Sequence, residues 1–117
     1  MTRPVVHFEI HGKDGAKLQE FYKSLFGWEI DANNPMQYGM VTPGVGGPPE
    51  GVGGGITQSD AAPMVTIYVQ VVSLDETLAK AESLGGKTVM PPMDIPEGPT
   101  MAQFSDPEGN VIGLVKQ

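Results

Sequence analysis

Three side chains that can bind a metal ion or move a proton recur at every second position near the N-terminus. They are His7, Glu9 and His11, in the stretch VVHFEIHGKD, and apolar residues separate them. Because successive side chains of a β-strand point to opposite faces of the sheet, these three polar groups would share one face. The pattern leaves three interpretations open: a metal site, the polar wall of a small-molecule pocket, or the solvated side of a sheet.

Composition and charge exclude several classes of function. The chain has 117 residues, enough for one compact domain. It contains no cysteine, which excludes disulfides, cysteine-based metal sites and cysteine nucleophiles. Its net charge of −7 would repel phosphate backbones and attract or tolerate cationic small molecules. We therefore expect a small-molecule ligand and no nucleic-acid partner.

No stretch of the sequence predicts membrane insertion or export. The first ten residues, MTRPVVHFEI, lack the long apolar core of a signal peptide. No apolar run approaches the roughly 20 residues that a spanning helix needs. The sequence therefore predicts a cytoplasmic location and no membrane partner.

An amphipathic helix is predicted directly after the first strand, in KDGAKLQEFYKSLFG. Its apolar residues recur at the i, i+3, i+4 and i+7 spacing of one helix face: Leu18, Phe21, Tyr22 and Leu25. Asp14 can cap the start of this helix, and Gly27 can end it. Short strands are predicted at WEID and at residues 38–42. The glycine-rich residues 43–55 predict a mobile loop that leads into a strand near Ile56.

The second half of the chain repeats this order. VTIYVQV alternates as a strand, and SLDETLAKAESLGG predicts a helix that opens with a capping box of Ser73 and Glu76. KTVM predicts a short strand, and MPPMDIPEGP a proline-rich loop. MAQFS and NVIGLV predict two strands joined by DPEG, where Gly109 supplies a positive φ.

The two halves align with an offset of 59 positions. His7 then falls on Thr66 and Gly27 on Gly86, and each half has the order strand, helix and three strands. This internal repeat indicates a duplicated βαβββ unit. One such unit has a sheet face left to bury, so two units are expected to pack together, either within one chain or across a dimer.

The repeat, together with FYKSLFGW in the first half and FSDPEGNVIGL in the second, resembles the vicinal oxygen chelate superfamily. That superfamily includes glyoxalase I, extradiol dioxygenases, and fosfomycin and bleomycin resistance proteins. The resemblance implies an α+β fold in which two βαβββ modules form curved mixed sheets around a cavity. It predicts a single domain over residues 1–117, with module one at 1–60 and module two at 61–117.

In the enzymes of this superfamily, the resemblance implies a divalent metal that polarises two neighbouring substrate oxygens. The four ligand positions carry over to His7, to the glycines 53–55, to Thr66 and to Gly113, where metal-binding members have Glu. Only His7 can act as a ligand, and catalytic zinc sites use three protein ligands. We therefore expect no cofactor; a divalent metal held by His7, with Glu9 and a further donor, remains the alternative. Whether the chain is an enzyme stays open.

The cavity that the resemblance implies would be lined by residues of the polar strand faces. These residues are His7, Glu9, Thr66, Tyr68, Gln70 and Gln103. The opposite strand faces, which carry Phe8 and Val71 among others, would pack against the helices. Trp28 is interpreted as a packing or dimer-contact residue.

Three functional hypotheses follow. The first is a homodimeric small-molecule-binding domain of this superfamily with a degenerate metal site and an unknown ligand. The second is a metal-dependent lyase or dioxygenase that acts on a vicinal-oxygen substrate. The third is an antibiotic-sequestering resistance protein, which the acidic charge would suit if its ligand is cationic.

Overall fold

The computed structural model of the protein describes residues 2–42, 51–96 and 98–116. Along these residues the order of strands and helices repeats once. The elements are β1 (Val5–Gly12), α1 (Gly15–Phe26), β2 (Ile30–Asp31), β3 (Gly39–Val41), β4 (Gly54–Gln58), β5 (Met64–Val71), α2 (Leu74–Ser83), β6 (Lys87–Asp94), β7 (Thr100–Ser105) and β8 (Val111–Lys116).

Two compact units make up the chain. The first comprises residues 7–65, and the second comprises the residues up to Val6 and those from Thr66 onward. In the first unit the strand order is β2-β3-β4-β1, with β4 parallel to β1 and antiparallel to β3. In the second the order is β5-β8-β7-β6, with β8 parallel to β5 and antiparallel to β7. The α+β fold with two βαβββ modules and mixed strand pairing is thus confirmed, while the module boundaries at residues 60 and 61 stay a prediction.

Helix α1 begins and ends where the sequence predicts. The Asp14 side chain accepts a hydrogen bond from the backbone N–H of Lys17 at 3.1 Å. At the other end, Gly27 has a left-handed φ of 71°, and its N–H donates to the carbonyl of Lys23 at 2.9 Å. Because glycine adopts this conformation without steric cost, the chain leaves the helix here and turns towards β2.

An aromatic cluster packs α1 against one face of β1. The ring of Trp28 is stacked on Tyr22, with centroids 5.4 Å apart, and lies 5.3 Å from Phe26 and 5.5 Å from Phe8. Trp28 is therefore a packing residue of the first unit. Since Phe8 faces the helix, the neighbouring positions 7 and 9 face the other side of the sheet.

Helix α2 holds the core of the second unit. Ser73 caps it by accepting from the N–H of Glu76 at 3.2 Å, as predicted. The buried core residues are Val71, Leu74, Leu78, Ala102 and Leu114, with Val69 and Phe104 packed against them. The helix thus covers the face of β5 that carries Val71, which leaves the alternate positions on the other face. Ile67, which alternates onto the same face of β5 as Val71, is 37% exposed.

The prediction of a proline-rich loop after KTVM is wrong in its first part. Strand β6 continues through Pro91 and Pro92 to Asp94, pairing with β7 in a register that shifts at Met90. β6 is the last strand in the order of its unit, where a proline without an N–H removes no hydrogen bond to a further strand. Part of the predicted mobile loop, residues 43–50, lies outside the described residues. The turn between β7 and β8 has Gly109 at φ 93°, as predicted.

Candidate functional site

A row of hydrogen bonds joins the three polar side chains of β1 through a tyrosine that precedes β3. Nε2 of His7 lies 2.7 Å from the hydroxyl of Tyr38, and that hydroxyl lies 2.7 Å from Oε2 of Glu9. The other carboxylate oxygen of Glu9 lies 2.6 Å from Nε2 of His11. The alternation of β1 thus places all three predicted polar groups on one face, and Tyr38 connects them.

The directions of these hydrogen bonds follow from the chemistry of the groups. A carboxylate only accepts, so both the phenol of Tyr38 and Nε2–H of His11 donate to Glu9. The single phenol proton is then committed to Glu9, and the phenol oxygen accepts from Nε2–H of His7. Glu9, which is 8% exposed, is therefore a buried carboxylate that receives two charge-assisted hydrogen bonds.

Burial favours the neutral form of the His7 imidazole. Burial lowers the pKa of His7, and the nearby charge of Glu9 opposes that shift without reversing it. A neutral ring that donates from Nε2 fits the hydrogen bond to Tyr38.

The position of Tyr38 is fixed by the four residues before it. The side chain of Asn34 binds both backbone groups of Tyr38, accepting from its N–H at 2.8 Å and donating to its carbonyl at 2.7 Å. Between them, Gln37 has a left-handed φ of 52°, and among the described residues no other non-glycine has a positive φ. This turn reverses the chain so that the phenol reaches back over the sheet to β1.

Tyr38 was not among the predicted site residues, although the sequence contains a signal for it. The glycines of β4 pair with β1, with Gly55 opposite Glu9 and Gly54 opposite Phe8. Glycines opposite large residues leave space on both faces of the sheet, and a side chain from a neighbouring strand must fill it. A bulky aromatic residue just before the strand that pairs with β4 was a candidate for this role.

The other predicted site residues belong to the second unit. Tyr68 of β5 is in register with Gly113 of β8, which is in register with Gln103 of β7, so these three positions share one face. Thr66 is 3% exposed, and its hydroxyl donates to the carbonyl of Val111 at 2.7 Å. Gln70 lies two positions beyond Tyr68 on the same strand and is half-buried. The six predicted residues thus form two sets, one in each unit.

The metal positions implied by the family resemblance do not fit a metal centre. In the second unit the Thr66 hydroxyl is bound to a backbone carbonyl, and Gly113 lies under the ring of Tyr68. In the first unit Gly55 lies under the hydroxyl of Tyr38. Within the described ranges, no three side chains of His, Asp or Glu are placed to hold one ion together.

A groove of about 680 Å³ lies elsewhere in the first unit, beside α1. The end of β1, including His11, forms one wall, the helix residues Leu18, Phe21 and Tyr22 another, and Met64 lies at its rim. His11 therefore connects the polar row to a mostly apolar groove. Along the described parts of the chain, neither helix is long and apolar enough to cross a bilayer.

Nearly the whole chain is similar to known proteins. Residues 5–114 match the family model described as the Glyoxalase/Bleomycin resistance protein/Dioxygenase superfamily. The chain is 30% identical over 121 residues to a curated protein of Mycobacterium tuberculosis named "Putative glyoxylase CFP32", and the match covers 91% of this chain. It covers 42% of the mycobacterial protein, so the chain spans less than half the length of that relative.

Solved structures share the fold at low sequence identity. A superfamily member from Vibrio splendidus 12B01 is 17% identical, with a TM-score of 0.64, and the match covers 99% of this chain and all of that one. The Mn(II)-bound glyoxalase from Novosphingobium aromaticivorans is 18% identical, with a TM-score of 0.65, over 98% of this chain and 40% of that one. At such identities the likeness shows the fold alone.

Proposed function

Because the chain belongs to the Glyoxalase/Bleomycin resistance protein/Dioxygenase superfamily, we propose that it binds a small organic molecule at the polar face of β1. The observation that carries this proposal is the phenol of Tyr38, held between His7 and the buried carboxylate of Glu9. A few fixed polar groups beside apolar walls are typical of small-molecule sites. In the second unit, taken by itself, Thr66, Tyr68, Gln70 and Gln103 are proposed as binding residues.

The charge of this site favours a neutral or cationic ligand. The carboxylate of Glu9 lies at the centre of the polar row, and it already accepts hydrogen bonds from Tyr38 and His11. An anionic ligand placed beside this carboxylate would be repelled. The net charge of −7 acts in the same direction over a longer range.

The acidic charge of the chain favours a second candidate function, an antibiotic-sequestering protein with a cationic ligand. No specific observation supports a metal-dependent lyase or dioxygenase in the same way, because the implied ligand positions hold glycine and a bound threonine. The name of the mycobacterial relative indicates glyoxalase-type chemistry for a protein more than twice as long. For this chain we propose binding rather than that reaction.

The test is a thermal-shift screen with matched ligands of different charge. Each amine-bearing drug in the panel is paired with its N-acetylated, neutral form and with a carboxylate analogue of similar size. A ligand that binds only the folded state raises the melting temperature. We expect shifts for the amines, smaller shifts for the neutral forms and none for the carboxylates.

The variant Glu9→Gln keeps the shape of the side chain and removes its charge. In this variant the apparent affinity for the amines, obtained from the thermal shifts, is expected to fall at least tenfold. Glu108→Gln, in the exposed turn between β7 and β8, should leave the shifts unchanged. A preference for the carboxylate analogues in the wild-type protein would contradict the proposed ligand class. An equal response of both variants would contradict the proposed site.

We also propose that the protein is a homodimer in the cytoplasm. Exposed apolar side chains on α1 support association, since Phe21, Leu25 and Phe26 are each more than half exposed. Light scattering of the purified protein should give twice the mass of 12.4 kDa. If the measured mass stays that of a single chain at all micromolar protein concentrations, the dimer is contradicted.

A further inference from the structure

We propose that Tyr38 and Tyr68 are substitutes for metal ligands: each tyrosine fills the space that a ligand side chain on the facing glycine would need. The coupled partners are Gly55 with Tyr38 in the first unit and Gly113 with Tyr68 in the second. This inference uses the family membership of the chain but is independent of the proposed ligand class. Each glycine is then required because it leaves room for a tyrosine ring. The loss of a metal ligand alone would not require glycine at either position.

The first pair rests on geometry within the first unit. A Cβ atom added to Gly55 would lie less than 3.0 Å from both the hydroxyl oxygen and the ring of Tyr38, a distance that real Cβ atoms essentially never show. Tyr38 cannot easily withdraw, because its hydroxyl is held by Glu9 and His7 at 2.7 Å and its backbone by Asn34. Any side chain at position 55 would therefore displace the phenol.

The second pair repeats this arrangement in the second unit. A Cβ atom on Gly113 would lie less than 3.0 Å from three ring atoms of Tyr68. Tyr68 is 4% exposed and is the strand-to-strand partner of Gly113, so the ring lies flat over the glycine with little room to move. Neither Gly55 nor Gly113 has a positive φ, so their backbones would accept alanine without strain.

The same solution in both units indicates replacement rather than simple loss. Simple loss of a ligand would leave a cavity, whereas here a phenol occupies the space in each case. A carboxylate at position 113 could not reach an ion unless Tyr68 also changed. Restoring the ligand residues one at a time is therefore expected to disturb folding without producing a metal site.

Double-mutant cycles on stability test the coupling of each pair. Gly55→Ala should lower the midpoint of urea unfolding in the wild-type background and lower it much less when Tyr38→Ala is present. Gly113→Ala and Tyr68→Ala should behave in the same way. The matched control combines each glycine variant with Tyr22→Ala, whose ring is not among the three atoms nearest to a Cβ at either position. The effects of the two substitutions should then add.

Failure of a single glycine variant to fold does not end the test. If Gly55→Ala is unfolded, the double variant with Tyr38→Ala should recover a cooperative transition, and an unfolded double variant would contradict the coupling. Strict additivity within both pairs would overturn the inference.

Metal titration supplies a second, independent measurement. Calorimetry with Zn²⁺, Ni²⁺ and Mn²⁺ alone should show no one-to-one site that depends on His7 in the wild-type protein, and Gly113→Glu should not create one. A stoichiometric ion that His7→Ala abolishes would overturn the inference. The ligand screen could still succeed after that result, so the two proposals fail separately.

Discussion

Glu9 is the residue on which the polar row depends. A buried carboxylate without partners would be strongly destabilising, and here each of its oxygens receives a hydrogen bond, from Tyr38 and from His11. The histidines therefore have different roles, although they lie on the same strand face. His11 donates directly to the carboxylate, whereas His7 donates to the phenol that in turn donates to it.

Tyr38→Phe removes one hydroxyl from the centre of this row. Glu9 would lose a donor and His7 an acceptor in a largely buried setting, so we expect the free energy of unfolding to fall by about 1–3 kcal/mol. Urea denaturation followed by tryptophan fluorescence measures the change. The control is Tyr22→Phe, where the ring stacks on Trp28 and the hydroxyl makes no hydrogen bond within the described residues. Equal small effects of the two variants would mean that the Tyr38 hydroxyl adds nothing to stability.

His7 predicts a loss of stability in mild acid. Burial lowers its pKa in the folded state below the ordinary value of 6.5, so the unfolded chain binds a proton more readily. The contribution of neutral His7 to the free energy of unfolding should therefore be complete above about pH 6.5. It should decrease as the pH drops from there towards the lowered pKa of the folded state. His7→Gln should flatten the pH profile between pH 6.5 and 5, when each profile is referred to its value at pH 7.5. A profile for His7→Gln as steep as that of the wild type would contradict this assignment.

At the residue scale, the sequence predicted the polar face of β1 but not how it is organised. Strand alternation is a local property, so it identified His7, Glu9 and His11 as neighbours on one face. The phenol that connects them comes from position 38, and its approach depends on the pairing of β3 with β4 and on the turn at Gln37. Periodicity along one strand carries no information about such a contact.

The turn that delivers Tyr38 gives a prediction about one element. Gln37 adopts a left-handed φ that costs a non-glycine residue roughly 1 kcal/mol. Gln37→Gly should therefore be neutral or stabilising, although glycine also increases the entropy of the unfolded chain. The control, Asn33→Gly, lies four positions earlier without a positive φ and should destabilise by about 0.5–1 kcal/mol. Thermal unfolding of both variants tests this, and a larger loss for Gln37→Gly than for Asn33→Gly would contradict it.

Elements that are defined by local chemistry were predicted well. Asp14, Gly27 and Ser73 mark helix ends through hydrogen bonds to residues within four positions, so their sequence signals are sufficient. Strand β6 was cut short in the prediction because Pro91 and Pro92 normally interrupt a sheet. Whether a proline is tolerated depends on which strands flank it, and that is decided by the order β5-β8-β7-β6.

At the scale of the whole molecule, the repeat was the most informative feature of the sequence. The offset of 59 positions predicted the same strand order in both units, and the structure has it. The same offset sets Glu9 opposite Tyr68 in the alignment of the halves, a charged acceptor against an aromatic ring. The fold was therefore duplicated while the polar chemistry of the two halves diverged.

The excess of 14 acidic over 7 basic residues leads to a prediction about ligand binding in salt. Part of the attraction for a cationic ligand comes from the distributed charge, which is screened as the Debye length falls from about 10 Å at 0.1 M to about 3 Å at 1 M ionic strength. The remainder comes from the buried carboxylate of Glu9, which salt screens much less. Titrations of an amine ligand from 0.05 to 1 M NaCl should show a Kd that rises several-fold and then levels off, while the N-acetylated control stays constant. In the Glu9→Gln variant the Kd for the amine should be higher at every salt concentration and should still rise with salt. If the Kd of this variant no longer depends on salt, the distributed charge contributes nothing to binding.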